Sequence, residues 1–171
     1  MTTFYTKPES DVLVLIRETM HSYHQRLEAV DLKLSVLMAH TVEGDTGEMP
    51  SALKHHGYPA LAITKILDLK HRAHGLGDAE LLIDAGKWEL LSKRGRVALL
   101  DHELTHLEPV LKDGMIVRDD LRRPKLQMRL HDIEIGAFTE VAARHGEESI
   151  ERQQYDRYVE IMSQIEMDFT T

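Results

Sequence analysis

Five consecutive residues, His102-Glu103-Leu104-Thr105-His106, have the types and spacing that hydrolytic metal chemistry requires. On a helix, residues four apart share one face, so His102 and His106 can direct their imidazoles at one metal ion. Glu103 would lie within reach of a water molecule on that ion, which makes it the candidate general base. Two histidine ligands leave room on tetrahedral Zn²⁺ for a third protein ligand and the water. The pattern therefore predicts a zinc-dependent peptidase centre.

The residues around this motif have the period of a buried helix. Apolar side chains recur at intervals of three and four: Val97, Leu100, Leu104 and Leu107. No glycine or proline occurs from Arg96 to Glu108, and Pro109 then marks an end. We therefore expect a helix over 96–108 that carries the motif. On the plainer alternative, two surface histidines and a glutamate lie on an ordinary amphipathic helix.

The third metal ligand has to be a histidine or a carboxylate, because the chain contains no cysteine. The downstream candidates are His131, Asp132, Glu134, Glu140 and His145. We expect His131, since it ends a predicted strand just before Asp132, which can cap the next helix. Glu134 in the first turn of that helix is the alternative, because a His/His/Glu set is equally good zinc chemistry. His145 lies further along the helix and is expected to be too distant.

A metal-binding imidazole usually donates its other ring nitrogen to a carboxylate or carbonyl that fixes its orientation. Three acidic residues close to the expected ligands could accept such a hydrogen bond: Asp132, Asp101 and Glu108. Asp101 and Glu108 flank the motif, and either could equally be an ordinary surface charge.

Composition limits the class of protein. A chain of 171 residues is expected to form one domain, 1–171, and its 42% hydrophobic and 29% charged residues are typical of a soluble globular protein. The net charge of −8 argues against nucleic-acid binding, which favours a basic surface. The sequence has no signal peptide pattern and no run of about 18 apolar residues, so we expect a cytoplasmic protein that does not span a membrane.

Periodicity along the rest of the chain predicts a mixed α+β fold. Helices are expected over 8–27, 96–108, 132–145 and 147–167, with a helical turn at 88–91. Strands are expected over 32–39, 79–83, 115–117 and 125–130. The segment 61–69 fits either a helix or a strand, and 42–51 reads as a polar loop. Because helices and strands do not alternate regularly, a doubly wound parallel fold is excluded.

Several segments resemble the phage metallopeptidase family, over about residues 53–149. The segments that carry the resemblance are 98–107 around the motif, 77–84 with Trp88, Arg123-Pro124, His131-Asp132 and 138–146. The resemblance implies a small zincin-like domain, with a mainly antiparallel sheet packed on helices, encoded by phages or prophages. The layout is also similar to that of SprT-like metallopeptidases, in which a third histidine just before a helix completes the zinc site. That similarity favours His131.

The leading hypothesis is thus a zinc peptidase that acts on a peptide or protein, with His102, His106 and His131 as ligands and Glu103 as base. Zincin-like folds often present an edge strand to an extended substrate, and we expect strand 79–83 to be that edge. A second hypothesis is an interaction protein that binds a host factor without catalysis. A third, by analogy with SprT-like proteins, is a DNA-associated protease, against which the net charge of −8 argues.

Overall fold

The structure is a computed structural model that describes the backbone of residues 2–42, 50–131 and 137–168, and side chains as far as residue 160. In chain order the described strands are β1 (Thr3–Thr6), β2 (Leu34–Thr41), β3 (Leu53–His55), β4 (Tyr58–Ala60), β5 (Ala62–Ile66), β6 (Ala79–Asp84), β7 (Leu107–Pro109), β8 (Leu111–Lys112), β9 (Met115–Ile116) and β10 (Leu126–Met128). The described helices are α1 (Ser10–Tyr23), α2 (Gln25–Ala29), α3 (Leu69–Ala73), α4 (Ala85–Leu90), α5 (Lys93–Thr105), α6 (Thr139–His145) and α7 (Ile150–Asp168).

One four-stranded sheet, in the order β1-β2-β6-β5, forms the framework. Strands β2 and β6 are parallel, whereas β1 pairs with β2 and β5 pairs with β6 in the antiparallel sense. Smaller two-stranded pairs are β3–β4, β7–β10 and β8–β9, all antiparallel. The predicted α+β fold with a small, mainly antiparallel sheet is confirmed. No helix in the described part of the chain is long and apolar enough to cross a membrane.

The prediction that strand 79–83 forms the sheet edge is wrong. Its segment is β6, which lies between β2 and β5. Three of its side chains are almost fully inaccessible: Ala79, Leu81 and Ile83. A short run of apolar residues indicates a strand that is covered by neighbours, whereas an edge strand carries polar residues. The strand with that character is β5, where Thr64 and Lys65 interrupt the apolar residues.

Helix α5 carries the motif and packs against the sheet and α1. Ser92 caps the helix, since its hydroxyl oxygen accepts a hydrogen bond from the Gly95 N–H at 3.0 Å. Leu99 and Leu100 belong to a buried cluster that includes residues of α1 and β6. The helix ends at Thr105, three residues before the predicted end, because Leu107–Pro109 is extended and pairs with β10.

The helix predicted over 8–27 is interrupted at His24, between α1 and α2. The φ and ψ angles of His24 are −125° and 48°, which no α-helix contains. This break turns the imidazole toward α5, where its Nε2 lies 2.8 Å from an Asp101 carboxylate oxygen. Apolar residues on both sides of the break remain buried, so the sequence period does not reveal it.

The other predicted elements are partly shifted. The predicted strands at 32–39, 115–117 and 125–130 correspond to β2, β9 and β10, and the segment 61–69 is mostly strand β5. The predicted helical turn at 88–91 falls on α4. Residues 43–49 of the predicted loop and 132–136 of the helix predicted over 132–145 lie outside the described residues. Within the described part that helix begins at Thr139, and α7 begins at Ile150 after a 3₁₀ turn over Gly146–Glu148.

Candidate metal centre

Three histidine side chains from two parts of the chain converge at the end of α5. His102 lies in the last turn of the helix, His106 follows its last residue, and His131 follows β10. One ring nitrogen of each residue lies within 4.8 Å of the others, and Nε2 of His102 is 3.3 Å from Nε2 of His131. His102 is buried, His106 is half-buried and His131 is exposed, so the cluster opens to solvent on the His131 side.

The hydrogen bonds of two imidazoles define which nitrogen is free to bind a metal. His106 Nδ1 lies 2.8 Å from the backbone carbonyl oxygen of Arg129, and His102 Nδ1 lies 2.7 Å from a Glu151 carboxylate oxygen. Since a carbonyl and a carboxylate only accept hydrogen bonds, each Nδ1 carries the proton. The Nε2 lone pairs of His102 and His106 are therefore available in the neutral rings.

Burial is the main cause that lowers the pKa of His106 to about 4. The positive charges of His102, His131 and His55 act in the same direction, whereas the hydrogen bond to Arg129 opposes them. His106 is thus a neutral imidazole near pH 7, which is the form that binds metal ions.

A buried phenyl ring supports all three imidazoles. Phe138 is fully inaccessible, and its ring centroid lies 5.0 Å from that of His102, 4.8 Å from that of His106 and 5.0 Å from that of His131. Phe138 is also the N-cap residue of α6. An apolar ring against the imidazoles restricts their rotation and excludes water from one side of the cluster.

The side chain of Glu103, on helix α5, contacts the outer edge of strand β5. One of its carboxylate oxygens accepts a hydrogen bond from the Thr64 hydroxyl at 2.7 Å. Burial raises the pKa of the Glu103 carboxyl above its usual value, while the charge of His102 and the Thr64 hydrogen bonds oppose that rise. The carboxylate is 5% exposed and is held in one orientation between helix and strand.

The outer edge of β5 has backbone groups that face away from β6. The Asp84 N–H donates to the backbone carbonyl of Leu61 at 2.9 Å, and the Leu67 N–H donates to the backbone carbonyl of Asp78 at 3.0 Å. The odd-numbered residues of this segment therefore form the backbone hydrogen bonds to β6. Even-numbered residues, including Ala62 and Thr64, therefore point their N–H and C=O groups outward. Among the described residues no strand pairs with that edge.

A hairpin formed by β3 and β4 leads directly into β5. His56 and Gly57 connect the strands, with φ angles of 49° and 87°, which is the two-residue turn with positive φ at both positions. His55 and Tyr58 face each other across the turn, and both are exposed. The charge of His55, at the tip of the hairpin, contributes to lowering the pKa of His106.

Asp101, next to His102, does not contact the cluster. Its fully buried carboxylate accepts hydrogen bonds at 2.8 Å from His24, Arg144 and His145. Burial would raise the pKa of Asp101, but these hydrogen bonds outweigh it and lower the pKa to about 2. The residue joins the α1–α2 junction and α6 to α5 and thereby fixes the helix that carries the motif.

Of the predicted site residues, the structure brings His102, His106 and His131 together. The other described candidates for the third ligand lie elsewhere, since Glu140 pairs with Arg129 and Arg144, and His145 bonds to Asp101. Asp132 and Glu134 lie outside the described residues.

Sequence analysis missed the carboxylate that contacts His102, which is Glu151 and neither Asp101 nor Glu108. Glu108 instead accepts a hydrogen bond from the Gln127 side chain. A hint was available, because Glu151 directly follows the apolar Ile150 in the first turn of the last helix, where a buried face begins.

The donor set fits a divalent ion that prefers imidazole. Two nitrogens bound to tetrahedral Zn²⁺ at about 2.0–2.1 Å lie about 3.4 Å apart, and the Nε2 atoms of His102 and His131 are 3.3 Å apart. One oxygen of the buried Glu151 carboxylate has no hydrogen-bond partner among the described residues. A nearby cation would compensate that buried negative charge.

The chain matches a family model described as "Putative phage metallopeptidase" over residues 4–161. The match therefore extends on both sides of residues 53–149, to which the resemblance of individual motifs was limited. No curated protein and no solved structure matches the chain. Since the family model covers nearly the whole sequence, the chain belongs to the phage metallopeptidase family.

Proposed function

We propose that the chain is a zinc-dependent peptidase of the HExxH type, encoded by a phage or prophage. His102, His106 and His131 would hold the ion. The observation that carries the proposal is the convergence of three imidazole nitrogens within 4.8 Å of one another, beside a buried glutamate. Membership of a metallopeptidase family supports the same chemistry.

The bound ion would act as a Lewis acid that activates a water molecule near neutral pH. Glu103 is the proposed general base: it takes the proton of that water as the oxygen adds to the scissile carbonyl carbon. Glu103 then delivers the proton to the amine nitrogen as the C–N bond breaks. Its raised pKa, caused mainly by burial, makes the carboxylate a stronger base and so favours the first transfer.

The proposed substrate is an extended peptide that pairs with the outer edge of β5. The outward N–H and C=O groups of Ala62 can bond to a peptide backbone, and Thr64 joins the same edge to Glu103. A peptide along this edge would pass over the histidine cluster. The hairpin tip at His55 and Tyr58 would lie next to it.

Two measurements test the proposal. Elemental analysis of the untagged chain is expected to find one zinc per chain, and His102→Ala should lose it. Glu103→Gln should keep the zinc but lose cleavage of any peptide that the wild type cleaves. If the wild type contains no zinc even after reconstitution, the peptidase proposal fails, and an interaction protein that binds a host factor takes its place. If Glu103→Gln cleaves as fast as wild type, Glu103 is not the base.

A further inference from the structure

The first turn of the last helix packs into the rest of the structure. Ser149, Ile150 and Glu151 are 0%, 8% and 3% exposed, whereas residues 152–160 of α7 are all exposed. Ser149 caps the helix, since its hydroxyl oxygen accepts a hydrogen bond from the Arg152 N–H at 3.1 Å. Among the side chains of α7 that the structure describes, 150–160, only those of the first turn are buried.

Glu151 is the polar member of this anchor and joins three elements. Its Oε1 accepts a hydrogen bond from His102 Nδ1 at 2.7 Å, and the Phe138 backbone N–H lies 3.5 Å from the same oxygen. It thus connects α7 to the motif helix and to the residue whose ring supports the histidine cluster. The other oxygen, Oε2, is buried and has no hydrogen-bond partner among the described residues.

The contact with His102 depends on which imidazole nitrogen carries the proton. A neutral imidazole can carry it on Nδ1 or on Nε2, and only the first form donates to Glu151. A metal ion on Nε2 leaves the proton on Nδ1 and makes that N–H a stronger donor. Metal binding would therefore strengthen the hydrogen bond from His102 to Glu151 that holds the first turn of α7. The positive charge of the ion would also compensate the buried Glu151 carboxylate, whose Oε2 has no hydrogen-bond partner among the described residues.

We propose that Glu151 is a positioning residue for the metal centre, and that metal binding and the docking of α7 stabilise each other through it. The proposal rests on the proposed zinc site but does not require peptide cleavage. Because such coupling is reciprocal, a change at Glu151 must weaken metal binding, and removing the metal must loosen the first turns of α7.

The experiment uses the full chain as wild type, Glu151→Gln and Glu160→Gln. Glu160 is an exposed glutamate of the same helix and serves as the matched control. Zinc affinity is measured by competition with a chromophoric chelator. We expect about a 10–100-fold loss for Glu151→Gln, the usual effect of removing such a partner, and no loss for Glu160→Gln. Hydrogen exchange should slow in the first turns of α7 when zinc is added to the wild type, but much less in Glu151→Gln.

The thermal midpoints of the metal-free proteins distinguish a positioning role of Glu151 from a purely structural one. Glu151→Gln removes a buried carboxylate with one unpaired oxygen, so its metal-free thermal midpoint should equal or exceed that of the wild type. The proposal is overturned if metal-free Glu151→Gln has a lower thermal midpoint than the metal-free wild type, or if its zinc affinity is unchanged. It is also overturned if zinc does not change hydrogen exchange in α7 of the wild type. A wild-type chain that binds no zinc would overturn this proposal and the proposed function together. A chain that binds zinc without cleaving peptides would overturn only the function.

Discussion

The Thr64 hydroxyl donates a hydrogen bond to the Glu103 carboxylate at 2.7 Å, which joins the edge strand of the sheet to the glutamate of the HExxH motif. The backbone N–H of Thr64 also acts to lower the pKa of that carboxyl. The strand proposed to bind the substrate therefore also fixes the proposed base. A displacement of β5 would move both together.

Thr64→Val keeps the shape of the side chain but removes the hydroxyl donor. A hydrogen bond to a charged group is worth about 1.5–3 kcal/mol, so we expect the rate of peptide cleavage to fall about 10–100-fold with zinc content unchanged. The matched control is Thr19→Val, which removes a buried hydroxyl that bonds to Leu15 in α1, away from the site. Equal rates for Thr64→Val and wild type would mean that Glu103 is oriented by other contacts.

His131 and Glu134 are the two alternatives that the sequence leaves open for the third ligand. His131→Ala should weaken zinc binding by more than the roughly 10–100-fold typical of a residue that only orients a ligand, whereas Glu134→Gln should bind zinc as the wild type does. His74→Ala removes an exposed histidine after α3 and controls for nonspecific loss of imidazole. The reverse result for His131 and Glu134 would assign the third position to the glutamate.

The acid sensitivity of the metal-free protein should depend on Asp101. Its pKa is about 2 in the folded chain against an ordinary value of 3.8. Because the folded pKa is the lower one, the stabilisation is complete above about pH 4 and is lost as the pH falls toward 2. Each pH unit of that difference is worth about 1.4 kcal/mol, which gives about 2 kcal/mol in total.

Asp101→Asn should therefore unfold more easily at pH 7 by about 2 kcal/mol and lose stability less steeply between pH 4 and 2. Urea unfolding in the presence of a chelator measures both. Asp113→Asn changes an exposed aspartate in the turn between β8 and β9, and it should retain the acid dependence of the wild type. If Asp101→Asn has the same acid dependence as the wild type, the hydrogen bonds from His24, Arg144 and His145 do not stabilise the folded chain.

Local periodicity was sufficient to locate the motif helix, because burial of Leu100 and Leu104 imposes the helical repeat on the sequence itself. It also located four of the ten described strands, β2, β6, β9 and β10, and left the segment of β5 open between helix and strand. It also singled out His131, which stands next to an element boundary. These features depend on neighbours within a few residues of one another, so a single sequence contains them.

Contacts between residues that are distant in sequence could not be predicted from local periodicity. Glu151 lies 49 residues after His102, and the order of strands that makes β5 the edge is set by tertiary packing. Similarly, the helix break at His24 allows its imidazole to form a hydrogen bond with Asp101, which lies 77 residues away in the sequence. Nothing in the local pattern of either segment distinguishes these pairs from alternatives.

Zinc itself should stabilise the folded chain, since the three imidazoles lie far apart in sequence and converge only after folding. Free zinc at a thousand times its Kd adds about 4 kcal/mol, which corresponds to a rise in Tm of roughly 10 °C for a chain of this size. Differential scanning calorimetry with zinc or with a chelator measures the rise. Glu103→Gln should show the same rise, because Glu103 is proposed to act on water and not to hold the ion, whereas His102→Ala should show none. A rise in His102→Ala equal to that of the wild type would place the zinc elsewhere on the chain.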